Sequence, residues 1–109
     1  MTSRTEAENR LFNAAELELV TATRGPEIGL APTDQLKSVG RRLREAQSKA
    51  RDIAARQQRE IRGKADPHGA RPAVDNTGTL AKAQALSEAL QRLDAELLRR
   101  GEVDWSASS

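Results

Sequence analysis

The sequence predicts an all-α protein, and three observations support this prediction. Among its 109 residues there are eighteen alanines and only two aromatic residues, Phe12 and Trp105, a composition that suits closely packed helices better than sheets. Residues 33–64 repeat apolar side chains at steps of three and four, the period of one helix face. Capping and helix-breaking residues divide the chain into three helical stretches. We therefore expect a three-helix antiparallel bundle with a long central helix, forming one domain over residues 1–101.

The first predicted helix covers about residues 5–24. Its start is marked by two overlapping capping boxes that begin at Ser3 and Thr5, and both boxes place a glutamate near the positive end of the helix. Its end is marked by Gly25 and Pro26, because glycine tolerates the left-handed conformation after a helix and proline cannot continue one. The connection to the next helix is therefore short.

The first predicted helix is apolar on two sides. Leu17 and Val20 lie nearly opposite the face that contains Phe12 and Leu19. A helix that touches two neighbours explains this pattern, and so does a self-association surface formed by Leu17 and Val20. With the second explanation we expect a homodimer.

The central helix is predicted over residues 33–62, where Pro32 and Thr33 provide a good start. Apolar residues recur along it at alternating steps of three and four and form one face. These residues are Leu36, Val39, Leu43, Ala46, Ala50 and Ile53. We expect this face to pack against the other helices.

A second stripe of the central helix is basic and lies well over a quarter-turn from the apolar face. We call it the basic stripe, and its members are Lys37, Arg41, Arg44, Arg51, Arg59 and Arg62. The acids of this helix lie elsewhere, and three of the four stand four positions before a basic residue, which favours ion pairs. These pairs are Glu45 with Lys49, Asp52 with Arg56 and Glu60 with Lys64. Residues 34–64 have a net charge of +6, whereas residues 1–33 and 65–109 have −2 each.

The third helix is predicted over residues 79–100, after an irregular loop over residues 63–78. The loop is rich in glycine and proline, and we expect it to be mobile until a partner orders it. The helix has a heptad-spaced apolar seam that consists of Ala83, Leu86, Leu90, Leu93 and Leu97. Residues 102–109 form a polar tail that we expect to be flexible; Trp105 either folds back onto the bundle or lies in the mobile end.

The sequence does not favour an enzyme. His68 is the only histidine, and between Pro67 and Gly69 it is most simply a solvated turn residue. With one histidine, no cysteine and scattered carboxylates, we expect no catalytic residues, no metal site and no cofactor. There is no apolar leader and no apolar run of membrane-spanning length, so we expect a cytoplasmic protein without a membrane partner.

The basic stripe is the strongest functional signal in the sequence. Regularly spaced arginines on an exposed helix face match phosphate oxygens, so we expect non-specific contact with the backbone of DNA or RNA. The residues predicted to bind nucleic acid are Lys37, Arg41, Arg44, Arg51, Arg59, Arg62, Lys64 and Arg71. The alternative is a helical protein–protein interaction or assembly module, an adaptor or regulatory subunit, in which an acidic protein partner meets this face.

Overall fold

The computed structural model describes residues 4–63, 77–102 and 105, and every regular element among them is a helix. The helices of this part of the chain are α1 (Arg4–Asn9), α2 (Ala14–Thr21), α3 (Glu27–Leu30), α4 (Thr33–Gly63) and α5 (Thr77–Arg99). Because the described residues contain no strand, the all-α prediction is confirmed. The bounds of α4 and α5 agree with the predicted 33–62 and 79–100 to within two residues.

The two long helices α4 and α5 run antiparallel and form the core between them. Two contacts fix their direction: Arg100, after the end of α5, donates to Thr33 Oγ1 at the start of α4 (3.1 Å), and Leu93 lies beside Gly40. The buried residues shared by the two helices are Leu36, Leu43, Ala50, Ala83, Leu86, Ala89, Leu90, Leu93 and Leu97. Burial of each of these leucines stabilises the fold by about 1.5–3 kcal/mol, so the heptad seam of α5 holds the pair together.

The single first helix predicted over residues 5–24 is wrong, because the structure divides this region into two short helices, α1 and α2. α1 ends at Asn9, and α2 begins after Asn13, which is its N-cap. Asn13 Oδ1 accepts from the backbone N–H of Glu16 (2.8 Å), and Glu16 Oε1 accepts from the backbone N–H of Asn13 (2.9 Å). This reciprocal capping box satisfies the donors at the start of α2, and the chain changes direction before it. In place of a three-helix bundle, the fold is an antiparallel pair with smaller N-terminal helices.

The division of the first helix also corrects the prediction for Val20. Val20 is fully buried in the core, while Leu17 is half-buried. Phe12 and Leu19, on the predicted inner face, also pack against the core, so this region has apolar neighbours on more than one side. α2 packs against α4. Val20 is therefore a core residue and not part of a self-association surface.

Two arginines eight positions apart, Arg92 on α5 and Arg100 just after its end, hold the N-terminal helices in place. Arg92 donates from Nε to the carbonyl of Thr23 (3.3 Å) and from Nη2 to its hydroxyl (3.1 Å), and Thr23 is itself buried. Arg100 donates from Nη1 to the carbonyl of Ala31 (2.8 Å) and from Nη2 to that of Ile28 (3.1 Å). These bonds satisfy carbonyls at the end of α2 and in and after α3, and they set the position of both helices on α5.

Arg100 is in turn held by a carboxylate one turn earlier on α5. Glu96 accepts from Arg99 Nε (3.0 Å) and from Arg100 Nε (2.7 Å), and its side chain is only 12% exposed. Hydrogen bonds from Arg99 and then Arg100 lower the pKa of Glu96 from 4.5 to about 2. The same contacts raise the pKa of Arg99. Glu96 thus stays ionised at neutral pH and orients Arg100 toward α3.

Part of the predicted loop over residues 63–78 lies outside the described residues. Gly63 is the last residue of α4, and Thr77 and Gly78 belong to the first turn of α5. The remainder of the loop, including the predicted binding residues Lys64 and Arg71, lies outside the described part. The predictions about its mobility therefore stay predictions.

Candidate functional site

The basic stripe lies on the outer surface of α4. Five of its six members are exposed: Arg41, Arg44, Arg51, Arg59 and Arg62. Lys37 is half-buried. At about 100° per residue the six side chains fall within an arc of roughly 80°, and their centre lies roughly 100–120° from the buried Leu36 and Leu43. The arginines of the stripe thus lie on the exposed surface of α4, away from the buried leucines, as the sequence predicts.

The stripe is straight and long because α4 is a continuous helix. From Arg41 to Arg62 it extends along the axis by about 31 Å at 1.5 Å per residue. The core residues that α4 shares with α5 run from Leu36 to Ala50, so α5 supports the part of the helix that carries Lys37, Arg41 and Arg44. Because α4 is one continuous helix, the cations of the stripe lie along one line.

Most of the stripe lacks a carboxylate partner. The ion pairs within residues 4–63, 77–102 and 105 involve none of Arg41, Arg51, Arg59 and Arg62. The sequence predicts that acids of α4 form ion pairs with basic residues four positions later. For the pairs within the described residues, this prediction is wrong. Neither Glu45 with Lys49 nor Asp52 with Arg56 is among the ion pairs of the described part; all four side chains are exposed. Such groups can stay apart in solvent at little cost, because an exposed ion pair contributes only about 0–1 kcal/mol to the stability of the fold.

The N-terminal end of the stripe is different, because the residues after α5 lie on it. We call Gly101, Glu102 and Trp105 the post-α5 segment. Gly101 has a φ of 85° and its N–H donates to the carbonyl of Leu98 (2.9 Å), while the N–H of Glu102 donates to that of Leu97 (2.8 Å). This is a Schellman turn, which the Arg-Arg-Gly ending of the helix predicts. It directs the chain back toward α4, where Glu102 forms an ion pair with Lys37 (3.0 Å).

Trp105 is packed against the helices, as in the first of the two predicted alternatives, in which it folds back onto the bundle. The residue is 6% exposed, and its indole Nε1 donates to Asp94 Oδ1 on α5 (2.8 Å). The ring lies against Gly40: a Cβ at Gly40 would be 2.6 Å from Cζ3 of Trp105. The guanidinium of Arg44 lies over the same ring, 5.8 Å from its centroid, within the range of a cation–π contact.

Sequence reasoning missed this tryptophan site. The available signal was Gly40 itself, since a glycine in the interior of a helix costs about 1 kcal/mol against alanine and usually has a packing reason. The tryptophan that fills the space follows Gly40 by 65 positions, and periodicity within a helix cannot connect the two. The sequence could therefore indicate that another group packs closely against Gly40, but not that this group is Trp105.

Two other classes of site can be assessed in the described residues. No group of three or more His, Cys, Asp or Glu side chains there is placed to hold a metal ion. No helix of that part is both long and apolar enough to cross a membrane. The only histidine, His68, lies outside it.

Comparison with known proteins does not place the chain in a family. No protein family matches it, and neither does any curated protein or solved structure. Inference about its function therefore starts from the basic stripe and the contacts around it.

Proposed function

We propose that this protein binds nucleic acid without sequence preference, through phosphate contacts made by the basic stripe of α4. The observation that carries the proposal is the set of exposed arginines without a carboxylate partner among the described residues. They are Arg41, Arg51, Arg59 and Arg62. Lys64 and Arg71, outside those residues, remain proposed contributors.

The chemistry of the side chains supports phosphate as the ligand. Guanidinium presents its N–H donors as a planar fork that matches two phosphate oxygens, and it is less strongly hydrated than ammonium. Each phosphate contact releases condensed counterions, which favours binding at low salt. A straight line of arginines about 31 Å long can meet several phosphates of one polyanion.

The lack of base-reading groups supports binding that ignores sequence. The described part of the stripe contains no aromatic side chain that could stack on a base, and Trp105 next to it is buried. α4 is also not the short second helix of a helix-turn-helix unit that enters a groove. Phosphate contacts alone position a protein on nucleic acid but carry no sequence information.

A charge-reversal experiment tests the proposal. Arg51→Glu with Arg59→Glu removes the middle of the stripe and should abolish a gel shift of mixed-sequence DNA or RNA at low salt. For the unchanged protein, about four to six phosphate contacts predict a log–log salt slope of about −4 to −5 on duplex DNA. Circular dichroism should show unchanged helicity, because both side chains are exposed.

The matched control is Arg42→Glu with Arg56→Glu, which changes the net charge equally but lies roughly 100–140° around α4 from the stripe centre. We expect this pair to weaken binding much less. An equal loss in both double variants would show that only net charge matters and would contradict a site on the stripe. Binding of an acidic protein surface in place of DNA or RNA would favour the interaction-module alternative.

A second candidate function, self-association as an assembly module, is favoured by one observation on α5. Leu80 and Leu98 are 52% and 61% exposed. They are eighteen residues apart, about five full turns, and therefore lie on the same outward face. We propose a homodimer in which α5 pairs with α5 of a second copy, so that Leu80 meets the second copy's Leu98 and the contact is two-fold symmetric. Light scattering of the Leu80→Ser, Leu98→Ser double variant beside the unchanged protein tests this contact.

A further inference from the structure

The chain's own post-α5 segment occupies the N-terminal end of the basic stripe. Glu102 pairs with Lys37 (3.0 Å), and the ring of Trp105 lies under Arg44 (5.8 Å to the centroid). Two of the six stripe cations are thus in contact with this segment, whereas those from Arg51 onward have no ion pair with a described residue. Arg41, between Lys37 and Arg44 in the sequence, has no ion pair with a described residue either.

We propose that the post-α5 segment is an autoinhibitory contact that competes with the polyanion for Lys37 and Arg44. While Trp105 is seated, nucleic acid uses the cations from Arg51 toward Arg62 together with Arg41. When Trp105 leaves, the ligand gains Lys37 and Arg44. This inference rests on the proposed function, since it concerns the same stripe and the same class of ligand.

The chemistry of the contact makes competition the expected behaviour. Glu102 offers Lys37 one carboxylate that is 40% exposed, while a polyanion offers several phosphates at once. An ammonium cannot give its full set of donors to both partners at close range. Because linkage is reciprocal, a segment that weakens phosphate binding must itself be weakened by phosphate. Binding of nucleic acid should therefore favour release of Trp105, and release of Trp105 should in turn tighten binding of nucleic acid.

Gly40 provides a way to release the segment without changing any charge. In Gly40→Ala the new Cβ would lie 2.6 Å from Cζ3 of Trp105, closer than real side chains approach. The indole is a rigid ring tied to Asp94, so it cannot bend away as a flexible side-chain end would. Alanine also favours a helix more than glycine does, so α4 remains intact.

The matched control is Gly78→Ala in the first turn of α5. A Cβ at Gly78 has nothing within 4 Å, so the same substitution meets open space. Trp105 is the only tryptophan in the chain, so the wavelength of tryptophan emission shows whether its ring is buried. We expect its emission to shift to longer wavelength in Gly40→Ala and to stay unchanged in Gly78→Ala.

The binding measurement is a salt titration of all variants with the same mixed-sequence duplex. Two additional phosphate contacts in Gly40→Ala should make the log–log slope steeper by about 1 to 2 and raise the affinity at low salt roughly threefold to tenfold. Adding Lys37→Gln and Arg44→Gln to Gly40→Ala should return the slope to that of the unchanged protein. In the unchanged protein, duplex DNA should shift the tryptophan emission toward that of Gly40→Ala.

Three results would overturn the inference, and they separate it from the proposed function. If Gly40→Ala releases Trp105 but binds with an unchanged slope, there is no competition, and stripe binding stands. If Gly40→Ala keeps the buried emission, Trp105→Ala decides: with helicity retained, an unchanged slope again excludes competition. If neither the unchanged protein nor either released variant shifts any nucleic acid at low salt, the proposed function fails and the inference fails with it.

Discussion

Glu96 shows how one residue couples the protonation state to the position of a helix. Its carboxylate accepts from both Arg99 and Arg100, and its pKa is lowered to about 2. Arg100 is thereby oriented to the carbonyls of Ile28 and Ala31. Protonation of Glu96 removes the charge that orients this guanidinium, so we expect it to weaken the attachment of α3 to α5.

The prediction at this scale concerns stability at acid pH. Because the pKa of Glu96 is lower in the folded than in the unfolded chain, its contribution is fully present above about 4.5 and is lost as pH falls toward 2. Urea unfolding at pH 7, 4.5, 3 and 2 should therefore show a smaller acid loss for Glu96→Gln than for the unchanged protein. The control is Glu18→Gln, an exposed acid of α2. Identical acid loss in Glu96→Gln and the unchanged protein would contradict this role.

Single residues also show why part of the site could not be read from the sequence. The arginines of the basic stripe were predictable because one helical period places them, and exposure follows from their angle to the leucines. The contacts of Lys37 and Arg44 were not predictable, since they depend on where the chain goes after α5. Val20 was misplaced for a related reason: both Leu19 and Val20 of α2 pack against the core, and the neighbours that a short helix meets depend on the path of the chain around it.

At the scale of elements, the sequence predicted the α4–α5 pair well and the N-terminal helices poorly. In a long amphipathic helix and in a heptad-spaced seam the same spacing of apolar residues recurs many times. One irregular residue therefore does not change the prediction. The N-terminal region is a set of short helices, in which local capping competes with a continuous apolar pattern. Asn13 and Glu16 carry a capping-box pattern in the sequence, but the stronger breakers at Gly25 and Pro26 suggested one longer helix.

The prediction at the element scale tests that capping box. Asn13→Ala removes the side-chain acceptor that bonds the N–H of Glu16 (2.8 Å) and should lower the free energy of unfolding by about 1 kcal/mol. Asn13→Ser keeps an oxygen at the N-cap and should stay within a few tenths of a kcal/mol of the unchanged protein. Urea denaturation measures both. Equal stabilities for the alanine and serine variants would mean that α2 is held by packing alone.

At the scale of the whole molecule, the two proposed activities use different helices. The basic stripe belongs to α4, in the stretch that carries the net charge of +6, while the exposed leucines belong to α5. Between Leu80 and Leu98 the outward face of α5 carries Gln84, Gln91 and Ala95, with one charged residue, Asp94, at its edge. In the proposed two-fold register, Asp94 meets Gln84 of the second copy and not another carboxylate. A second copy can meet this face without repulsion between like charges, and the charge-reversal variants of α4 should not alter it.

The last prediction is the oligomeric state. We expect light scattering at tens of micromolar to give a dimer for the unchanged protein and a monomer for Leu80→Ser with Leu98→Ser, because both serines remove apolar area from the same face of α5. Leu30→Ser is the matched control: Leu30 is 82% exposed but belongs to α3, so the dimer should persist. A monomeric unchanged protein would exclude self-association at this concentration. A dimer that survives in the double variant would place the contact elsewhere, and Val20 cannot provide it because it is fully buried within the chain.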